Sequence, residues 1–480
     1  MTAGSGAGFS PDPRPLGWYR GRKVTVMGLG LFGGGRGAVD FLVRRGAEVT
    51  VTDLRPLEKL APAVERSATL PVRWVLGEHR EEDFAGADLV IVNPAVPRTA
   101  PLLARCRELG VPLETEMNLF FKHARGRLCA VTGSNGKTTT TSLIGAMARR
   151  RWPGTRVGGN LGLSLLPDAE TIGAEEWVVL ELSSFQLEDL APLERRPEVS
   201  LITNLSPNHL DRHGSYEEYL RAKREIIARG PSPNVAVLCG EDAVLRSWAM
   251  ECPRRAVRFA RTGDVIPRAE GVWIDETRGL VTAGANGARR LLFESRDLRL
   301  RGRFNLLNAA GAAAAALAMG VEPREIRDAV REFRPVEHRL ELFLERRGVE
   351  HYDDSIATTP ESTIGALEAL GPDVLLICGG SAKGCDFRRL GAAIASGTKA
   401  VFLIGATAGA IEDAIRCARR PAEIHRSGTL AAAVAAARAT ARPGDRILLS
   451  PACPSYDQFV NFEERGRRFK ELCRADSAPS

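Results

Sequence analysis

The run Gly133-Ser134-Asn135-Gly136-Lys137-Thr138-Thr139 places small residues, one ammonium and several hydroxyls within a single turn of chain. An apolar stretch, 128–132, precedes it and a helix-forming stretch to Arg151 follows. In that setting the loop amides and the helix N-terminus face an anion, Lys137 supplies a point charge and the Thr138 hydroxyl suits Mg²⁺. The spacing is shorter than the general G-x-x-x-x-G-K-[ST] form, and an ordinary glycine turn with a surface lysine is the alternative. Glu181 closes the apolar stretch that starts at Trp177, where a carboxylate can hold the metal of a bound nucleotide; a solvated strand-end glutamate is the plainer reading. His209 and His213 stand four apart like a zinc pair, but the glutamate and third ligand of a metalloprotease site are missing, and an exposed His213 is the simpler expectation. Lys223, Arg339 and Asp354 are silent in composition: Lys223 reads as helix surface, Arg339 suits a bidentate phosphate contact and Asp354 a ribose hydroxyl.

A second glycine loop, Gly28-x-Gly30-x-x-Gly33, is weak alone, but Asp53 lies 20 residues beyond Gly33, where a nucleotide fingerprint carries its acid. Two such loops call for two phosphate-bearing ligands. A hydride-transfer enzyme has no use for the second, whereas an enzyme that consumes ATP on a nucleotide-linked substrate uses both.

The elements that position these residues read as three α/β units. Strand, glycine turn, helix and strand run from 24 to 53, and a further strand, 87–92, ends at Asn93-Pro94. A second strand–loop–helix unit begins at 128, with buried strands near 177–180 and 199–203 and a buried alanine-rich helix at 309–319 preceded by Asn305 and Asn308. Alternation restarts after residue 335 with strands near 349–353, 374–378, 400–404 and 446–450. The expected fold class is α/β in three consecutive domains: a flexible extension, 1–22; a Rossmann-like N-terminal domain, 23–118; a central P-loop-type ATPase domain, 119–335; and a Rossmann-like C-terminal domain, 336–480.

The remaining composition excludes more than it selects. The 480 residues are 44% apolar and 26% charged with a net charge of +7, a globular balance with no concentrated basic tract, so no nucleic-acid partner is expected. Nine cysteines without zinc spacing fit reduced thiols in a cytoplasm. The longest uncharged apolar segment, 306–321, falls short of the ~20 residues that cross a bilayer, so no membrane association is expected.

Four blocks carry a resemblance: Gly133 to Thr139; Glu181-Leu182-Ser183-Ser184-Phe185-Gln186-Leu187-Glu188; Gly302-Arg303-Phe304-Asn305-Leu306-Leu307-Asn308-Ala309; and Ser450-Pro451-Ala452-Cys453-Pro454-Ser455-Tyr456-Asp457-Gln458-Phe459. In this order the chain resembles the Mur ligases from about Lys23 to Glu471, and its blocks look like those of the glutamate-adding members. The resemblance implies ATP-driven joining of D-glutamate to UDP-MurNAc-L-alanine through an acyl phosphate, with L-glutamate as the alternative amino acid. It implies ATP and two Mg²⁺ ions, and a monomer is expected.

Carried over by position, Gly133, Ser134, Asn135, Gly136, Lys137, Thr138 and Thr139 would bind ATP phosphates. Asn305 and Asn308 would meet adenine, and Arg339 and Asp354 phosphate and ribose. Thr138, Glu181, His209 and Lys223, the last as a carbamate, would hold metal, with Lys137, Lys223 and His209 serving catalysis. Gly28, Gly30, Gly33, Asp53, Leu54, Arg55, Asn93, Asn160 and Ser183 would bind the UDP substrate, and Thr358, Lys383, Ser455, Tyr456 and Phe462 the glutamate. One position departs: the family commonly reads Asp-Ser-Lys-Ala-Thr where this chain has Asp354-Ser355-Ile356-Ala357-Thr358, an apolar side chain in place of a cation.

Overall fold

The computed structural model describes residues 14–29, 34–57, 60, 64–65, 67, 69–161, 164–228, 234–262, 269–285, 288–300, 303–334, 337–382, 385–418 and 422–475. Gly30, Gly33 and Lys383 lie outside the described residues. The described parts of Met1–Ser295 and Asn308–Val330 form one compact unit, and those of Arg296–Leu307 and Arg331–Ser480 a second.

The first unit holds two sheets. Strands β1 (Lys23–Met27), β2 (Glu48–Asp53), β3 (Val72–Leu76), β4 (Leu89–Val92) and β5 (Leu113–Glu114) are all parallel, in the order β3-β2-β1-β4-β5. The order reverses at β1, so a crevice opens beyond the carboxyl ends of β1 and β4, where a doubly wound sheet places its ligand.

The second sheet comprises β6 (Arg127–Thr132), β7 (Arg156–Gly159), β8 (Trp177–Glu181), β9 (Val199–Ile202), β10 (Val235–Cys239), β11 (Arg255–Thr262), β12 (Gly271–Asp275), β13 (Leu280–Gly284) and β14 (Arg290–Glu294). Its order is β14-β13-β12-β11-β10-β9-β6-β8-β7. β8, β9 and β10 are buried along their whole length, as their unbroken apolar runs require when helices cover both faces. The antiparallel extension β12–β13–β14 was not apparent in the sequence. The helix Arg303–Met319 is closely packed because its alanines are small: Ala312 to Ala316 are at most 1% exposed, and a Cβ on Gly311 would stand 3.0 Å from the Phe259 ring. Asn305 and Asn308 lie within this helix rather than ahead of it.

The second unit holds β15 (Glu341–Arg346), β16 (Val349–Asp353), β17 (Val374–Gly379), β18 (Ala400–Ile404), β19 (Glu423–Gly428) and β20 (Arg446–Leu449), in the order β15-β16-β20-β17-β18-β19. Only the edge strand β15 is antiparallel. Two apolar clusters, one on each face, bury Leu376, Leu403 and Leu448 on one side and Ile377, Phe402 and Phe469 on the other.

Three sheets answer to the three expected α/β domains, with one correction. The described part of the expected flexible extension, 1–22, is structured: Leu16–Tyr19 form a helical turn, Tyr19 is fully buried against Phe41, and its hydroxyl lies 3.0 Å from His123 Nε2. Burying an aromatic ring outweighs the glycine- and proline-rich composition around it. In the compact division the described parts of residues 296–307 group with the last sheet, and the later break falls at 330. The first two sheets cohere through polar ties: Arg98 pairs with the buried Asp189, Asn118 Nδ2 donates to Asp189 O at 2.9 Å, and Ser164 Oγ donates to Glu116 Oε1 at 2.5 Å.

Candidate active site

β6 delivers the chain into the 133–136 loop and the helix Lys137–Arg151 leads it away, the geometry that aims helix amides at an anion. Two glycines make the loop possible. Gly133 has φ +144° and Gly136 φ +80°, both outside the range of ordinary side chains. The space beside Gly136 is taken by Asn308, whose Cγ would lie 3.0 Å from an added Cβ. The neighbouring strand end completes the loop: Asn135 N donates to Asn204 Oδ1 (3.0 Å), Thr203 Oγ1 to Asn135 O (2.6 Å) and Ser134 Oγ to Ser206 O (2.9 Å). The Tyr219 hydroxyl reaches Ser134 Oγ at 2.7 Å. Thr203, Asn204 and Tyr219 are supporting residues that sequence reasoning missed, because a hydrogen bond across some 70 or 85 residues leaves no local signal.

Glu181, at the carboxyl end of β8, is buried and joined on both oxygens. Thr138 Oγ1 donates to Oε2 at 2.7 Å and Asn160 Nδ2 to Oε1 at 2.9 Å. Asn160, expected on the UDP substrate, thus also orients the carboxylate expected to hold metal. Ser183 caps the helix Ser184–Leu190 in a reciprocal capping box with Gln186.

Lys223 is not a surface lysine. It is 2% exposed, and its Nζ donates to Thr132 Oγ1 (2.8 Å) and Gly133 O (3.1 Å), directly beneath the phosphate loop. Burial, reinforced by the nearby Lys137 charge and opposed by Glu181, holds its pKa well below the usual lysine range, so the amine is disposed to be neutral and nucleophilic. The helix Tyr216–Arg224 carries it inward because Tyr219, Ala222 and Lys223 share the buried stripe.

His213 is buried rather than exposed. Its Nε2 lies 2.9 Å from Ser184 Oγ and its ring stacks on Phe185 at 5.1 Å, while Nδ1 is 2.9 Å from Glu188 Oε1, off the line of a hydrogen bond. Nε2 is thus engaged by Ser184, and the ring is held by Phe185 and Glu188 rather than in a zinc pair with His209. His209 has φ +54°, and its ring also meets Phe185, edge to face at 5.1 Å.

At the first sheet, Gly28 (φ +85°), Asp53, Arg55 and Asn93 converge on the ends of β1, β2 and β4. Asp53 accepts from Leu29 N (3.0 Å) and pairs with Arg55 (2.8 Å), Asn93 Nδ2 donates to Gly28 O (3.2 Å), and Leu54 stands exposed. In the second unit Asp354 is buried, accepting from Leu340 N (3.0 Å) and Ser450 Oγ (2.7 Å). Burial pushes its carboxyl up to about 7, against the opposing pull of the Arg339 charge. Ser455 is buried, Thr358 and Phe462 are half-buried, and Tyr456 is exposed.

A glycine loop between strand and helix, backed by a carboxylate and a buried amine, with a second crevice beyond the carboxyl ends of β1 and β4 in the same unit, is an arrangement found in nucleotide-using α/β enzymes. Residues 22–114 match the Mur ligase MurD-like N-terminal domain, 131–316 the Mur ligase middle domain and 338–453 the Mur ligase glutamate ligase domain. A protein of Roseiflexus sp. (strain RS-1) is 41% identical over 457 residues, covering 94% of this chain and 98% of its own, and one of Acidobacterium capsulatum is 39% identical over 95% and 97%. Both are named UDP-N-acetylmuramoylalanine–D-glutamate ligase. Among solved structures, the UDP-N-acetylmuramate-alanine ligase MurC of Thermotoga maritima shares the fold with a TM-score of 0.63 at 21% identity, over 94% of this chain and 98% of that one. The pseudomurein peptide ligase type C of Methanothermus fervidus does so with a TM-score of 0.60 at 17% identity, over 94% and 100%. The chain belongs to the Mur ligase family.

Proposed function

We propose that this protein is an ATP-dependent ligase that joins D-glutamate to UDP-N-acetylmuramoyl-L-alanine in peptidoglycan precursor synthesis. The observation that carries the reading is full-length similarity to ligases of that name, 41% identity over 94% of the chain. In this reaction the terminal alanine carboxylate takes the γ-phosphoryl group of ATP, giving an acyl phosphate and ADP. The glutamate amine then attacks the acyl carbon, the amide C–N bond forms, the amine gives up a proton and inorganic phosphate leaves.

The chain's own residues divide this work. The 133–139 loop with Lys137 would bind the ATP phosphates, Asn305 and Asn308 the adenine, and Arg339 and Asp354 phosphate and ribose. Gly28, Asp53, Leu54, Arg55, Asn93, Asn160 and Ser183 would bind the UDP substrate, with Gly30 and Gly33. Thr358, Lys383, Ser455, Tyr456 and Phe462 would hold glutamate. The hydroxyl of Thr138 and the carboxylate of Glu181 are hard oxygen donors that fit Mg²⁺. A carbamate on Lys223, formed when its neutral amine attacks CO₂ and releases a proton, would add another oxygen, and His209 a nitrogen. Bound Mg²⁺ supplies charge neutralisation on the transferring phosphoryl group.

Ile356 supports keeping L-glutamate in the test. It is half-buried, and its N donates to His338 O at 3.2 Å, so an apolar side chain stands where the family commonly has a cation. Phosphate release by the purified protein with ATP, Mg²⁺ and UDP-MurNAc-L-alanine is expected with D-glutamate and not with L-glutamate or without amino acid. Release with L-glutamate alone would reverse the stereochemical reading, and release with neither would refute the ligase reading. We further propose a cytoplasmic monomer; no helix of the described residues is long and apolar enough to cross a membrane.

A further inference from the structure

Arg339 sits between two residues in the left-handed region, His338 at φ +62° and Leu340 at φ +44°. Neither side chain favours that conformation, and two such residues around one arginine persist only where the surroundings over-determine them. The surroundings do so at His338. Its Nδ1 lies 2.6 Å from Oδ2 of the fully buried Asp353, its N donates to Glu341 Oε2 at 3.0 Å, and its ring stands edge-on to Phe462 at 6.3 Å. Gly466 leaves the room: a Cβ there would run into the His338 ring and stand 2.9 Å from Asp353 Oδ2. On the far side, Leu340 N is held by Asp354 at 3.0 Å.

His338, Glu341 and Asp353 come close enough together to chelate a cation. Lys470 already supplies one: its Nζ is 2.7 Å from Glu341, 3.2 Å from Glu337 and 3.7 Å from Asp353. A lysine in this position makes the cluster a fixed charge network rather than a metal site. The network ties the 337–341 segment to β16 and to the helix Phe462–Arg474, on elements that do not themselves carry Arg339.

We propose that Asp353, His338 and Lys470 are positioning residues that lock the backbone around Arg339 so that its guanidinium is preorganised for a nucleotide phosphate. This rests on the reading of Arg339 as a phosphate ligand given above. The strain is stored at His338, and the imidazole acts through its hydrogen bond to Asp353 and not on substrate.

Steady-state kinetics of the full chain test this, with folding followed by circular dichroism. Asp353→Asn and His338→Ala raise the KM for ATP about 10-fold, leaving the KM for glutamate unchanged. His338→Gly, which adopts φ +62° without strain but lacks the imidazole that holds Asp353, loses about as much as His338→Ala; a His338→Gly protein that keeps the parent KM for ATP would overturn the proposal. If Asp353→Asn does not fold, Gly466→Ala, which crowds the ring from the other side, carries the same expectation. Arg339→Ala separates the two layers. An unchanged KM for ATP in that variant removes the phosphate reading and the proposal with it. A raised KM there, with Asp353→Asn or Gly466→Ala folded and unaffected, refutes the positioning network alone.

Discussion

Replacing Gly136 by alanine tests the phosphate loop in two separable ways. At φ +80° an alanine bears a left-handed cost of about 1–2 kcal/mol. Its Cβ would also run into the Asn308 amide, with Cγ at 3.0 Å and Nδ2 at 3.1 Å, tighter than most real Cβ contacts, so the Asn308 side chain or the loop must give way. The two terms together amount to about 2–5 kcal/mol. Removing the Asn308 amide relieves the second term and leaves the first. The expected thermal midpoints therefore fall most in Gly136→Ala, and the double variant Gly136→Ala/Asn308→Ala melts higher than the sum of the single effects predicts, with a coupling of about 1 kcal/mol. The KM for ATP should rise at least 10-fold in Gly136→Ala, since the loop amides are displaced from the phosphates. A Gly136→Ala protein that melts and binds ATP like the parent, or strictly additive single and double variants, would refute the packing argument.

Three further outcomes follow from buried groups. Lys223→Ala should lower kcat by about 100-fold or more, and ¹³C-bicarbonate should give the parent, but not this variant, a carbamate carbon signal by NMR; a parent without that signal removes the carbamate. Asp354 has a folded-state pKa of about 7 against an unfolded value near 4, so the folded state binds the extra proton. Its contribution to stability is complete below about pH 4 and is lost as pH rises toward 7, up to about 4 kcal/mol. Denaturant unfolding should show that slope flattened in Asp354→Asn, and an unchanged slope contradicts the assignment. Tyr19→Ala should cost about 3–5 kcal/mol by emptying a fully buried ring site; an unaltered melting temperature would return the segment to the status of a loose extension.

The parts of this protein legible in the sequence are those that local chemistry writes locally. Unbroken apolar runs gave β6, β8 and β9, since a strand covered on both faces has no polar side to show. Glycines at 28, 133 and 136 marked backbone that must turn with positive φ, and all three do. The resemblance in four short blocks reached the same family that the full-length comparisons support. Strands β3, β5, β15 and β19 escaped notice because they are short, at sheet edges or interrupted by exposed charged residues, where periodicity fades.

Lys223, His213, Tyr19 and His338 depended on tertiary structure for their meaning. Each belongs to a residue type that is ordinarily exposed or indifferent, and each is at least nine-tenths buried here. The sequence alone determined the α/β alternation, the glycine loop between strand and helix at 133–136 and the order of the blocks, because these rest on backbone conformation and on neighbours a few residues away. Burial, by contrast, is decided by chain segments far apart: Lys223 meets Thr132 across 91 residues, and His338 meets Lys470 through Asp353 and Glu341. Only the folded chain removes water from those groups, and the loss of water is what holds the Lys223 amine well below the usual lysine range and turns a strained histidine into a fixed strut.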